Sequence, residues 1–186
     1  MTSLSALLLP IIVAAVVVFI LSSIIHMALP WHRDEYPYLE NQGSVLDGIH
    51  KFGLAAGDYM LPRPKTPADM KTPEFMKMFE SGAVMMTLMP PGDFAMGATM
   101  VKWFVYDLIV SLFAGYVASA ALPPGTPYLK VFQVVGTSAF MAYSFALWPQ
   151  RIWYKRSMTV TLKATIDGLV YGLFTAGVFG WLWPKG

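Results

Sequence analysis

Residues 4–29 read LSALLLPIIVAAVVVFILSSIIHMAL, without a single Lys, Arg, Asp or Glu. An α-helix rises about 1.5 Å per residue, so roughly 20 apolar residues cross the hydrocarbon core of a bilayer. The stretch exceeds that length. A cleaved leader is the competing reading, and it requires a basic segment ahead of a shorter apolar core and a small-residue cleavage site. No Lys or Arg precedes the run, and Trp31-His32-Arg33 follows it. A permanent span is therefore expected.

Three more runs of the same character follow, at 96–122, 131–148 and 164–183, the first closed by the turn Pro123-Pro124-Gly125. Trp31, Trp103, Trp148, Trp153, Trp181 and Trp183 fall near the ends of these runs, where a bilayer's headgroups favour amphipathic rings. Composition agrees: 56% of the 186 residues are apolar or aromatic and 13% are charged, against about 25% charged in a soluble domain. A soluble domain of this length lacks the interior to hide so much apolar surface. The expected fold is an all-α integral membrane protein, a bundle of four transmembrane helices forming a single membrane domain over residues 1–186. A net charge of +2, with no basic stripe interleaved with aromatics, argues against nucleic acid. Membrane lipids and other membrane subunits, or further copies of the chain, are the partners such a surface suits. Cysteine is absent, which removes disulfides, thiolate metal sites and cysteine nucleophiles together.

Between the first two spans lies a polar loop, 31–95, expected to be partly helical and membrane-associated. Ser44 reads as the cap of a short helix holding Leu46, Ile49 and His50. Thr72-Pro73-Glu74 reads as N-cap, first-turn proline and an acid facing the helix dipole. Beyond it Phe75, Phe79, Gly82, Met86 and Met89 recur at helical spacing, which predicts an amphipathic interfacial helix over 82–89 ending at Pro90-Pro91-Gly92. Pro62-Arg63-Pro64 reads as an extended connector.

Basic residues set the expected orientation. Arg33, Lys51, Arg63, Lys65, Lys71, Lys77, Arg151, Lys155, Arg156 and Lys163 fall on one side of a four-span bundle, and only Lys130 and Lys185 on the other. Ten against two predicts cytoplasmic loops at 31–95 and 149–163, with both termini periplasmic.

Inside the spans the most specific pattern is Ala164, Gly168, Gly172, Ala176 and Gly180, a small residue every fourth position. Such a ridge lets two helix backbones approach closely, which in lipid replaces the hydrophobic effect as the source of association. Asp107, Ser111, Gly115 and Ser119 repeat the spacing on the second span, and Ser138, Ala142 and Ala146 on the third. Packing within one bundle and self-association both fit these faces. Lys102, Asp107, Lys163 and Asp167 are the charges in or bordering spans. An acid at bilayer depth costs roughly 2.5–3.5 kcal/mol on insertion scales, so each is expected to have a partner or water. Either an interhelical charged pair that fixes register or a proton or cation relay answers that need.

Most of the 13 methionines cluster at Met60, Met70, Met76, Met78, Met85, Met86, Met89, Met96 and Met100. Thioethers ligate Cu(I), but methionine also fills irregular apolar contacts, and packing is the expected role. Of His26, His32 and His50 only His26 lies in a span, so paired haem ligands are not expected. Ser22, one turn back, is its expected hydrogen-bond partner. No metal ligand set, resident cofactor or catalytic residue is assigned, because no G-x-S-x-G, H-E-x-x-H or Walker A pattern occurs. The glycines of 92–99 have phosphate-loop spacing without its lysine and read as the turn into the second span. Asp58, Asp93 and His50 remain the residues that a lipid-directed enzyme would draw on.

Ser22-Ser23-Ile24-Ile25-His26-Met27, Gly57-Asp58-Tyr59-Met60, Lys102-Trp103-Phe104-Val105-Tyr106, and the closing stretch from Asp167-Gly168-Leu169 to Trp181-Leu182-Trp183-Pro184 resemble a family of small multi-pass bacterial inner-membrane proteins. The likeness covers nearly the whole chain. It implies a bacterial inner membrane and carries no assigned activity, so no functional residue transfers. The expected function is a non-catalytic accessory or assembly subunit of a membrane complex, with self-association a compatible option. A small oligomeric ion or solute channel using Asp107 and Asp167 is the alternative, and a methionine-rich copper-handling protein the third reading.

Overall fold

The computed structural model describes residues 1–92 and 95–186. Asp93, and with it part of the 92–99 turn, lies outside the described residues. The chain divides into two compact units, residues 1–37 with 96–186, and residues 38–95.

The first unit is the four-span bundle. Leu4–Ala28, Met96–Ala121, Tyr128–Tyr154 and Met158–Leu182 are each long and apolar enough to cross a membrane. The first span opens with a 3-10 turn, Leu4–Leu7, continues as α1 (Leu8–Ser23), and ends in a π-helical turn, Ile24–Ala28. Pro10 falls in the first turn of α1, where its missing N–H has no intrahelical partner to lose. α4 (Met96–Ala121) is uninterrupted. The third span is broken: α5 (Tyr128–Ser144) is followed by a turn at 145–146 and then α6 (Leu147–Tyr154). Pro149 accounts for the break, because in a continuous helix its ring would collide with the carbonyl of Phe145.

α7 (Met158–Leu182) begins six residues before the expected 164. The segment 158–163 contains no helix breaker, so the helix runs on into the polar zone and takes Lys163 with it. The expected basic loop at 149–163 is accordingly mostly helical, and only 155–157 link α6 to α7. α1 packs on α4 and α7, and α5 packs on the same two helices, so the four spans form a square in the order α1, α4, α5, α7. Val18, Val110, Ala114, Val135, Ala139 and Phe179 are buried between them, while Leu8, Ile20, Phe113, Leu169 and Leu173 point outward. This inside–outside pattern is the one a lipid-facing bundle requires. Thr2 ties the far end: its N–H and hydroxyl both donate to the Leu122 carbonyl at the terminus of α4, at 3.1 and 2.8 Å, satisfying a group the helix itself leaves open.

The second unit holds α2 (Gln42–His50), α3 (Pro73–Glu80) and a two-stranded antiparallel sheet of β1 (Gly57–Leu61) and β2 (Val84–Leu88). Thr72 caps α3 as its sequence suggests, its hydroxyl accepting from the Phe75 N–H at 3.2 Å. Ser44 does not cap α2, which starts earlier, after Asn41. The interfacial helix expected over 82–89 is replaced by β2. Gly82, at φ +121°, turns the chain out of α3. The short apolar run that follows is bounded by Pro90, which makes it too brief for a helix of its own, and it pairs with β1 instead. Within the sheet Met60 stands opposite Met85, and Met86 opposite Tyr59.

Candidate functional site

Asp167 is the centre of one polar cluster. It sits on α7 with 5% of its surface exposed, and its Oδ1 accepts from the Trp31 indole N–H at 3.1 Å. Trp31 and His32 belong to a 3-10 turn, Pro30–His32, that follows the first span. Lys163 fixes that turn, its ammonium donating to the Trp31 carbonyl and lying 5.3 Å from the centre of the indole ring. His32 Nδ1 donates to Glu35 Oε1 at 2.6 Å, and its Nε2 lies 3.0 Å from Asp167 Oδ2. That last contact has an ion-pair distance without the direction of a hydrogen bond, and among the described residues neither atom has a hydrogen-bond partner.

His26 stacks on the His32 ring, with centres 4.1 Å apart and planes 17° from parallel. The two histidines are six residues apart, which on a straight α-helix would put them about 120° from one another. The π-helical turn and the bend at Pro30 bring them together instead. Such turns carry an extra residue per turn and recur where a side chain must be re-aimed.

A second cluster lies deeper, between α4, α5 and α7. Asp107 is completely buried, and its Oδ1 accepts from the Tyr143 hydroxyl at 3.3 Å. Asp107 Oδ2, the Ser111 hydroxyl one turn further along α4, and the Tyr171 hydroxyl have no hydrogen-bond partner among the described residues. Four aromatic rings close a circuit beside them: Trp103 to Tyr106 at 5.4 Å, Tyr106 to Tyr143 at 5.8 Å, Tyr143 to Tyr171 at 5.4 Å, and Tyr171 to Trp103 at 6.3 Å.

Both clusters border one cavity of about 410 Å³, lined by His26, Trp103, Tyr106, Tyr143, Leu147, Ala164, Asp167, Gly168 and Tyr171. A smaller cavity of about 280 Å³, between the π-helical turn and the start of α4, shares His26 and Trp103 with it. The larger volume lies in the ordinary range of small-molecule sites, about 300–1,000 Å³, and its wall has the usual mixture of apolar surface with a few converging polar groups.

The candidate charges are therefore arranged differently from a lysine–carboxylate pair. Asp167 faces His32, Lys163 is bound to the Trp31 carbonyl, Asp107 is held by Tyr143, and Lys102 is exposed. His26 does not bond Ser22. The Ser22 hydroxyl donates to Phe19 O at 2.9 Å and accepts from the Trp103 indole at 2.8 Å, while His26 is aimed at His32.

The small-residue ridge of α7 meets α5. A Cβ on Gly172 would stand 3.1 Å from Phe140 N, one on Gly168 would collide with the Ser144 hydroxyl, and one on Gly180 would come within 2.6 Å of the Tyr128 ring. Ala176 faces Gly136, and Ala164 lines the cavity. On α4, Ser111 is fully buried, Gly115 meets the Phe179 ring, and Ser119 donates to the Tyr116 carbonyl of its own helix. In the other unit Asp58 accepts from Thr87 across the β1–β2 sheet at 2.6 Å, and His50 is exposed on α2.

The candidate-site residues that spacing alone does not mark are Trp31, His32, Glu35, Tyr143 and Tyr171. A signal existed for one of them, because Trp103 and Asp107, and Asp167 and Tyr171, are i, i+4 pairs that share a helix face. No protein-family model, curated protein or solved structure matches the chain.

Proposed function

We propose that the chain is a membrane-embedded binding protein for a neutral, lipid-soluble small molecule with a hydroxyl-bearing head, such as a phenol, quinol or long-chain alcohol. The observation that carries this reading is the 410 Å³ cavity, walled by aromatic rings that include Tyr171, whose hydroxyl is buried without a partner among the described residues. A ligand hydroxyl accepting from Tyr171 and donating to an adjacent carboxylate would satisfy groups that are otherwise buried without partners, each at a cost of about 1–3 kcal/mol. The apolar remainder of such a ligand suits the rings of Trp103, Tyr106 and Tyr143.

Beyond Ser111 and Thr175 the buried side chains are mostly apolar, among them Ala114, Ala118, Phe179, Val131, Val135 and Leu7, with Ser119 and Thr2 the buried polar ones. This favours binding over conduction from one side to the other. The α7 ridge is engaged by α5 within the chain, so it offers little support for an accessory subunit that docks through that face. The basic residues favour a cytoplasmic membrane in which the cavity lies toward the cytoplasmic leaflet.

A brominated alkylphenol added to the full chain in mild detergent tests the reading through quenching of tryptophan fluorescence. Saturable quenching is expected, with Kd raised about tenfold in Tyr171→Phe, the loss of one hydrogen bond. Quenching that rises linearly and is identical in the variant would mean simple partitioning and would end the proposal.

A further inference from the structure

We propose that His26, His32 and Asp167 bind one divalent first-row transition ion, of the zinc, iron(II) or cobalt(II) class, at the edge of the aromatic cavity. Each residue offers one ligand atom, and these atoms all lie within 4.8 Å of one another. Donors in a tetrahedral site at bond lengths of about 2.0–2.2 Å sit roughly 3.3–3.5 Å apart, so small side-chain rotations complete the set.

The hydrogen bonds around the three residues leave the needed lone pairs free. Glu35 takes the Nδ1 proton of His32, which in the neutral ring puts the lone pair on Nε2. Trp31 occupies Oδ1 of Asp167 and leaves Oδ2 open. Two lone-pair atoms then face each other at 3.0 Å, on a carboxylate that is 5% exposed. A protonated His32 would answer the charge as an ion pair at this distance, without hydrogen-bond alignment. A metal ion answers it as well and in addition recruits His26, already stacked on His32.

Glu35 behind His32 is also the outer-shell carboxylate that metal-bound imidazoles usually have, holding the ring's tautomer and orientation. Lys163, one turn before Asp167 on α7, donates to the Trp31 carbonyl and lies over the Trp31 ring.

Two imidazoles and one carboxylate select the ion class. Calcium and magnesium want oxygen ligands in larger number, and Cu(I) wants thiolates or thioethers. Three protein ligands leave a coordination position open, as in catalytic rather than structural sites. His26 and Asp167 both line the cavity, so the open position faces it. The ion site does not depend on the identity of the cavity's organic ligand.

The test uses tag-free full-length protein in detergent, stripped with chelator and titrated with cobalt(II). One ion per chain is expected, with a visible ligand-field spectrum that zinc abolishes and a raised melting temperature. Asp167→Asn and His32→Ala should abolish the spectrum. Glu35→Gln, which keeps all three ligands, should weaken binding about 10–100-fold, while His50→Ala should match wild type. A folded wild type without a saturable cobalt spectrum would overturn the site, and so would binding unchanged in Asp167→Asn and Glu35→Gln. Phenol quenching repeated on the metal-free protein separates failure of this site from failure of the cavity reading.

Discussion

The hydroxyl of Tyr143 on α5 donates to Asp107 Oδ1 on α4 at 3.3 Å, in a position where the carboxyl group has no exposure at all. It is the one hydrogen bond to that carboxyl among the described residues, since Oδ2 is unpartnered. Tyr143→Phe should therefore destabilise the bundle by about 1–3 kcal/mol, the cost of leaving a buried polar group without its partner. Tyr106→Phe removes a hydroxyl bonded at 3.2 Å to the Ala142 carbonyl at a more exposed position, and should cost less. In the double variant Asp107→Leu/Tyr143→Phe both partners become apolar, and much of the loss should return. Melting temperatures of the four proteins in one detergent decide the matter. A double variant no more stable than Tyr143→Phe alone would mean that Asp107 is retained for something beyond this bond.

The four spans are legible in the sequence because crossing a bilayer imposes length and apolarity on every span, and 4–29 meets both without ambiguity. The polar site is far less legible. Asp107 and Asp167 stand out by cost alone, as acids within apolar helices. The partners of Asp167 are set by a π-helical turn and by a bend at Pro30, neither of which has a periodicity to read, and that of Asp107 by the packing of α5 on α4. The β1–β2 pairing is illegible for a related reason: Val84, Met86 and Leu88 fit alternate positions of a strand as well as they fit part of a helix, and pairing with residues far away in sequence decides between them.

Orientation is open to a direct measurement. The short link after α6, with Arg151, Lys155 and Arg156 near it, carries no acid, and such clusters are retained in the cytoplasm. Alkaline phosphatase fused after Lys185 should be active and the same enzyme fused near Lys65 inactive. The reverse pattern would put the His26–Asp167 site toward the periplasm.

The capping difference in the second unit gives a local prediction. Thr72→Ala removes the side-chain acceptor for the Phe75 N–H, so the first turn of α3 should fray, at about 1 kcal/mol. Ser44→Ala should change little, since Ser44 lies inside α2 and caps nothing. Amide hydrogen exchange over α2 and α3 reads both, and equal protection of α3 in Thr72→Ala and wild type would contradict the cap.

Glycines on α7 should respond to the same substitution with opposite signs. At Gly172 a Cβ would stand 3.1 Å from Phe140 N, 3.2 Å from Gly136 O and 3.2 Å from Phe140 Cα. All three are backbone atoms of α5, so no flexible side chain can retreat, and the two helices must separate. At Gly177 the nearest atom is the Tyr128 hydroxyl at 3.7 Å, an ordinary contact. Alanine there gains helix propensity, about 1 kcal/mol in a helix interior, and loses nothing. Gly172→Ala should lower the melting temperature and Gly172→Leu should lower it much further, because contacts are forfeited along the α5–α7 seam. Gly177→Ala should leave it unchanged or raised. Leu173→Ala, on the outward face with 45% exposure, controls for general damage to α7. If Gly172→Leu melts with wild type, the close approach of α5 to α7 does not hold the bundle together, and the ridge would again be free to serve as an interface with another chain.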